Sequence, residues 1–431
     1  MDNTIYKNRR NNLKELLPMN SVLLVPSADL QYRNADSAFA FRQDSSFYYL
    51  SGFCEPSSLM AIVNDEDGIK SIIFVQPKDK LKEIWDGYRA GPIGAVDDFL
   101  FDKSYDNSEI DKMLPDILYG HKEVLYAIGK KKGFDQQVID WTTAAGKKDR
   151  HSKAINIIDA ASLIGNMRLI KDEHEINLIR KACDISAEAH IEAMKSVKDG
   201  DNEQQIESLY IHEFSKRGAR FPAYNPIVAG GENACVLHYV ENNQNLKSSD
   251  LLLVDAGCEY KMYAADITRT FPVNGKFSEE QLQIYKIVLD AMNAAIDCVK
   301  EGNNIMQPQE ASEKVITEGL IELGLLKGDP EELQSSGAYK DFYMHKIGHW
   351  LGLDVHDAGD YNEGDEFMTF KPGMITTIEP GIYISSSMDV DDKWKGIGVR
   401  IEDNILVTKD GNENLTKKVP SDPNEIESLM S

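Results

Sequence analysis

Leu251-Leu252-Leu253-Val254-Asp255-Ala256-Gly257 is the stretch that decides how this chain folds. Four apolar residues in a row describe a buried strand. The run ends on a carboxylate, with glycine two residues later. An acid at the end of an apolar strand is costly unless a cation or a donor neutralises it, so Asp255 is expected to have a partner. A second acid stands in Ala264-Ala265-Asp266-Ile267-Thr268-Arg269-Thr270-Phe271-Pro272, another strand-like run. The turn-like residues between the two runs predict an antiparallel pair that brings Asp255 and Asp266 together.

The design recurs downstream. Ile375-Thr376-Thr377-Ile378 leads to Glu379-Pro380-Gly381, and Gly396-Ile397-Gly398-Val399-Arg400-Ile401 leads to Glu402-Asp403-Asn404. Asp255-x-Gly257 and Glu379-x-Gly381 share one pattern: an apolar strand, an acid, then glycine. A pseudo-two-fold arrangement follows, each half contributing a strand pair with two acids. The fifth element lies in His345-Lys346-Ile347-Gly348-His349-Trp350-Leu351-Gly352-Leu353-Asp354-Val355-His356-Asp357. His345 and His349 have the spacing of a zincin helix, but Ile347-Gly348 stands where such a helix needs glutamate and a helix former. Taken singly, each acid would read as a solvated or salt-bridged carboxylate. Four acids and one imidazole together nearly cancel two divalent ions, and this oxygen-rich set suits Mn²⁺ or Co²⁺ better than a thiolate zinc site.

Outward from this set the chain has two parts, 1–165 and 166–431. The first shows short β-rich runs at 21–25, 59–63, 71–75 and 124–128, each bounded by Pro, Gly, Asn or Asp, and predicts an α/β domain. The second opens on a long helical pattern from Asp172, with apolar residues at Ile176, Ile179, Ala182, Cys183 and Ala189. His174 and His190 on this helix read as surface residues. Helices over 201–217 and 278–299 follow, the latter opened by a Ser278-x-x-Gln281 capping box. Strands are expected over 250–256, 264–272, 374–384 and 397–408, and a frayed tail over 420–431. This predicts an α+β domain.

Composition narrows the partners. The 431 residues carry 47 Lys and Arg against 71 Asp and Glu, a formal charge of −24. So acidic a chain is a poor ligand for nucleic acid or an anionic membrane. Lys130-Lys131-Lys132 reads as solvated surface. Five scattered cysteines without a Cys-x-x-Cys pair suit reduced thiols. With no apolar leader at the N-terminus, the expected location is the cytoplasm.

The words around the five ligands carry a resemblance. Val254-Asp255-Ala256-Gly257, Ala265-Asp266-Ile267-Thr268-Arg269-Thr270, Gly348-His349-Trp350-Leu351-Gly352-Leu353-Asp354-Val355-His356, Ile378-Glu379-Pro380-Gly381 and Gly398-Val399-Arg400-Ile401-Glu402-Asp403 resemble the pita-bread metallopeptidases. That family includes methionine aminopeptidase, prolidase and aminopeptidase P. Met167-Arg168-Leu169-Ile170-Lys171-Asp172-Glu173-His174-Glu175-Ile176 resembles the opening of the catalytic domain in the prolidase and aminopeptidase P branch. Asn34-Ala35-Asp36, the stretch Phe41-Arg42-Gln43-Asp44-Ser45 through Gly52-Phe53, and Glu55-Pro56 resemble the aminopeptidase P N-terminal domain. The resemblance implies a creatinase-like N-terminal α/β domain followed by a pita-bread catalytic domain.

It also implies roles. Asp255 would hold one metal, His349 and Glu379 the other, and Asp266 and Glu402 both. Two Mn²⁺ per subunit are implied, with Co²⁺ or Zn²⁺ as substitutes, and a bridging hydroxide would attack the scissile carbonyl. Glu379 would shuttle the proton. His238 and His356 would serve catalysis and substrate binding, and His345 would contact the residue after the scissile bond. Arg400 would steady a ligand carboxylate such as Asp255, with Thr268 in a similar role. Proline in second position presents a tertiary amide without N–H, and Tyr224, His356 and Tyr383 would wall an apolar recess for its ring. Trp85 belongs to the N-terminal domain and would reach a catalytic site across a domain or subunit boundary, which implies a homodimer or homotetramer.

The implied activity is an Xaa-Pro aminopeptidase. A prolidase shares the ligands but is confined to dipeptides. A binding module that has lost its metals is disfavoured because all five ligands are present, and creatinase-type amidinohydrolysis because it does without them.

Overall fold

The computed structural model describes residues 3–151 and 154–431. Met1 and Asp2, which begin the N-terminal stretch read for a leader, lie outside the described residues. The chain separates into two units, Met1–Met167 and Arg168–Ser431.

In the first unit the strand Ser21–Pro26 lies mid-sheet, antiparallel to Leu59–Asp65 and parallel to Glu123–Tyr126. Gly68–Val75 and Lys103–Asp106 extend the sheet on one side and Asn156–Asp159 on the other, six strands in all. Val22, Leu24, Phe74, Leu114, Phe134 and Trp141 build one core cluster with it. The inner strands Ser21–Pro26 and Leu59–Asp65 are near-continuous apolar runs, as elements covered on both faces must be. The Phe41–Phe53 stretch contains the helix Ser45–Ser51, whose N-cap Asp44 accepts from the Phe47 N–H at 2.9 Å.

The second unit begins with the helix Glu173–Ser196, opened by a reciprocal cap. Asp172 accepts from the Glu175 N–H at 2.9 Å, and Glu175 accepts from the Asp172 N–H at 3.1 Å. The helices Glu203–Lys216 and Glu279–Cys298 start in the same way, the latter on Ser278 and Gln281 as expected. His190 departs from its surface assignment, for it is fully buried. Its Nε2 lies 3.0 Å from the Ala256 carbonyl and its Nδ1 2.9 Å from the Tyr210 hydroxyl. Burial pulls this imidazole down to about 3, so it is neutral, donating to the carbonyl and accepting from the phenol. The tail departs too. Pro423–Met430 is a helix capped by Asp422, held by the buried Ile426 and a 2.6 Å Glu427–Lys276 pair.

Leu251–Asp255 runs antiparallel between Ile227–Gly230 and Thr268–Pro272, with Asp255 opposite Thr268. The three longer strands expected after it are each broken, and each break falls at an acid. Residues 264–272 split into Tyr263–Ala264 and Thr268–Pro272 around Asp266. Residues 374–384 split into Ile375–Ile378 and Gly381–Ile384 around Glu379, and 397–408 into Ile397–Arg400 and Asp403–Thr408 around Glu402. Ile375–Ile378 pairs with Asp403–Thr408, while Gly381–Ile384 pairs with Ile397–Arg400. The chain thus changes sheets at each ligand word, which releases the acid from the ladder. Glycine serves the crossings: a Cβ on Gly257 would collide with the Ala265 carbonyl, and one on Gly381 with the Tyr383 hydroxyl and the Val399 carbonyl. Among the described residues no helix is long and apolar enough to cross a membrane.

Candidate metal centre

The strand breaks turn four acids towards one another. A bridge between Thr268 and Glu402, with the Glu402 N–H donating to the Thr268 carbonyl at 3.0 Å, joins the two pairs. His349 comes from a non-helical segment beside Ile375–Ile378, where its N–H donates to Thr377 Oγ1 at 3.0 Å. The zincin geometry is absent there. Ligand atoms of Asp266, His349 and Glu402 lie within 4.8 Å of one another. His349 Nε2 is 3.4 Å from Asp266 Oδ2 and 3.6 Å from Glu379 Oε1. Asp255 joins the group through Tyr224, whose hydroxyl lies 2.6 Å from both Asp255 Oδ1 and Asp266 Oδ1.

Burial, and then mutual repulsion, raises the carboxyls. Glu402 is held well above its ordinary range, Asp266 is raised, and Glu379 is pushed up to about 7. Burial opposes the charge on His349, but hydrogen bonding to Asp266 and the charges of Asp266 and Glu379 carry it up to about 9. Such a set lacks positive charge. Arg400 supplies part of it: Nη2 donates to Asp255 Oδ2 at 2.8 Å, Nε to Thr268 Oγ1 at 3.3 Å and Nη1 to the Tyr383 hydroxyl at 3.1 Å. Thr268 in turn donates to Glu402 Oε2 at 2.8 Å. His349 Nδ1 lies 3.0 Å from the Trp350 carbonyl, the arrangement that would leave Nε2 as the ligand atom once a bound cation displaced its proton. One nitrogen and several crowded carboxylate oxygens fit a pair of hard divalent cations.

The centre opens on a cavity of about 570 Å³. Asp255, Glu379 and His349 border it, together with His238, His345 and His356. His349 and His356 meet edge to face at 4.2 Å. Burial, then His349 and His238, lowers His356 and favours its neutral form. His345 is lowered to about 4 by burial and then Arg400. Its Nδ1 lies 2.8 Å from the Lys346 carbonyl and its Nε2 2.8 Å from the Tyr383 hydroxyl.

Two expected wall residues sit elsewhere. Tyr383 is 2% exposed, behind Arg400 and His345, and Tyr224 is spent on the two aspartates. Both hydroxyls serve ligand-side groups, and neither residue borders the cavity. Its apolar wall comes from Ile305, Met306, Pro308, Trp350, Phe367 and Phe370. Trp85 lies in the N-terminal unit on the helix Lys80–Asp86 and is 85% exposed.

Two contributors were not singled out from the sequence. Asn404 accepts from the Asp266 N–H at 3.0 Å and donates to the Asp266 carbonyl. Thr377 lies 3.3 Å from Glu379 Oε1. Both fall inside ligand words, and that adjacency was the available signal.

Comparison with known proteins places this geometry. Residues 177–409 match the model of metallopeptidase family M24, and residues 6–126 that of the aminopeptidase P N-terminal domain. The Xaa-Pro aminopeptidase of Haemophilus influenzae is 44% identical over 99% of this chain and 97% of its own length. That of Escherichia coli is 41% identical over the same shares. The structure of Pseudomonas aeruginosa aminopeptidase PepP superposes with a TM-score of 0.97 at 44% identity, covering 100% of this chain and 98% of the other. Zinc-substituted Escherichia coli aminopeptidase P in complex with product gives 0.96 at 40% identity, with the same coverage.

Proposed function

Given that the chain belongs to metallopeptidase family M24, in its aminopeptidase P branch, and is an enzyme of the Xaa-Pro aminopeptidase class, we propose that it works with two divalent ions, Mn²⁺ by preference, held by Asp255, Asp266, His349, Glu379 and Glu402. The architecture is the expected one, an N-terminal α/β domain followed by a pita-bread domain. The observation that carries the proposal is the convergence of those five side chains beside a cavity bordered by His238, His345 and His356.

Two bound divalent ions acidify water and polarise a peptide carbonyl, and that is the chemistry they supply. The remaining work belongs to the chain. His356, kept neutral, donates an N–H to the oxygen on which charge develops, and His238, which also borders the cavity, does the same. Glu379 takes a proton from the attacking water and passes it to the leaving nitrogen. His345, oriented by Tyr383 and Lys346, meets the substrate beyond the scissile bond. Arg400 and Thr268 keep Asp255 and Glu402 in place. The apolar wall of Ile305, Met306, Pro308 and Phe370 accepts a pyrrolidine ring that offers no N–H to a polar groove.

Leu81, Ile84, Trp85 and Tyr88 form an exposed apolar patch on the N-terminal unit, which supports assembly into a homodimer or homotetramer. All five cysteines are free thiols, which supports a reducing compartment such as the cytoplasm. The test is Mn²⁺-supplemented hydrolysis of Xaa-Pro and Xaa-Pro-Yaa-Zaa peptides, with Glu379→Ala as control. Cleavage of the longer peptides, lost in the variant, is expected. Strict preference for the dipeptide would show a prolidase instead.

A further inference from the structure

Glu203 is fully buried, and among the described residues its partners are four neutral donors rather than a cation. Oε1 accepts from the Gly230 N–H at 2.8 Å and from Asn233 Nδ2 at 2.9 Å. Oε2 accepts from the Tyr239 hydroxyl at 2.8 Å and from the Gln244 N–H at 2.9 Å. The Glu203 N–H also donates to the Gln244 carbonyl at 2.9 Å. As the first residue of the helix Glu203–Lys216, it lies where the helix dipole favours an anion. Burying a carboxylate is expensive, and a full set of donors offsets the cost.

All four donors belong to one segment, 230–244. That segment leaves the strand Ile227–Gly230, makes the short turn Gly231–Cys235 and presents His238 to the cavity. Glu203 grips the segment at both ends, through Gly230 and Gln244, and in the middle, through Asn233 and Tyr239. His238 itself is exposed, so its placement depends on its backbone. Its neighbour Tyr239 points the opposite way, into the core with Ile227, Ala229 and Leu253, and ends on Glu203.

We propose that Glu203 is a positioning residue for the peptidase reaction, fixing through Tyr239 and the 230–244 segment where His238 meets the substrate. The proposal rests on the reading of His238 as a substrate-facing histidine. Glu203→Gln keeps the shape but replaces an acceptor oxygen by an NH₂, leaving donors facing a donor.

The experiment is a double-mutant cycle on an Xaa-Pro-Yaa-Zaa peptide with Mn²⁺, comparing wild type, Glu203→Gln, His238→Ala and the double variant. Glu203→Gln is expected to lower kcat/KM about tenfold, with Mn²⁺ affinity by calorimetry unchanged, and to cause less than a twofold further loss once His238 is absent. An equal loss with and without His238, or no loss at all, overturns the proposal and leaves Glu203 a structural residue. Full activity in His238→Ala overturns the reading of His238 and the proposal with it, a result distinct from an additive cycle. Should Glu203→Gln fail to fold, Tyr239→Phe removes only the tie beside His238. The same cycle then expects about a threefold loss that vanishes with His238→Ala, and an additive loss has the same overturning force.

Discussion

The Arg400 guanidinium donates to the Asp255 carboxylate at 2.8 Å, with Arg400 buried and Asp255 mostly so. The same guanidinium also reaches Thr268 and Tyr383, so one planar fork serves three partners on three elements. Arg400→Ala would leave Asp255 without its cation; breaking a buried pair costs about 3–5 kcal/mol, and losing support behind a ligand lowers metal affinity about 10–100-fold. Arg400→Lys offers a point charge without the fork and is expected to recover only part of either loss. Mn²⁺ titration calorimetry and urea unfolding read both effects; full recovery by lysine would show that charge alone matters.

Metal-free protein is expected to lose stability as pH rises. Glu379, held up to about 7, keeps a proton in the folded state that the unfolded chain releases at about 4.3. The folded state binds more protons between those values, so stability falls across that window. Glu379 alone accounts for a loss of about 4 kcal/mol, and Asp266 and Glu402 act in the same direction. Bound cations reverse the preference by favouring the ionised forms. Melting temperatures with chelator should fall from pH 5 to 8, and the gain on adding Mn²⁺ should grow over the same range. A flat chelated profile would refute this.

His190 works in the opposite sense. Its folded-state value of about 3 lies below the unfolded value near 6.5, so its contribution is present above pH 6.5 and is lost as pH falls towards 3. Between pH 6.5 and 4 that loss is about 3 kcal/mol. Replacement by Gln removes the titration. Unfolding free energies of His190→Gln should therefore fall less steeply with acid than wild type, and parallel curves would count against a buried neutral imidazole.

Trp85 and Tyr88, 85% and 98% exposed, follow the exposed Leu81 and Ile84 in the sequence. Apolar side chains so exposed gain about 1.5–3 kcal/mol each when covered. Ile84→Glu combined with Trp85→Glu is expected to shift the assembly towards monomer by light scattering. A wild-type protein already monomeric at micromolar concentration would refute the assignment of this patch to a second copy.

Much of the site was legible in the chain because the information is local. An apolar run, an acid and a glycine two residues on mark Asp255 and Glu379 wherever the rest of the chain goes, and the alternation of strands and helices identifies the two domain classes. The capping pair Ser278 and Gln281 is local in the same way. Long-range packing decided the rest. Continuous β-forming composition through Asp266, Glu379 and Glu402 reads as unbroken strand, since nothing in the spacing says that the chain changes sheets there. His190 is exposed or buried according to whether Tyr210 and Ala256 close over it. The tail is a helix because Ile426 finds a core. Tyr224 bonds to the two aspartates and Tyr383 to Arg400 and His345, because desolvated carboxylates, a guanidinium and a neutral imidazole require hydroxyl partners. Sequence determined which groups are present and how the chain delivers them. Only the tertiary structure decided which partner satisfies each one, because desolvation and hydrogen bonding between distant segments depend on distances that no local pattern records.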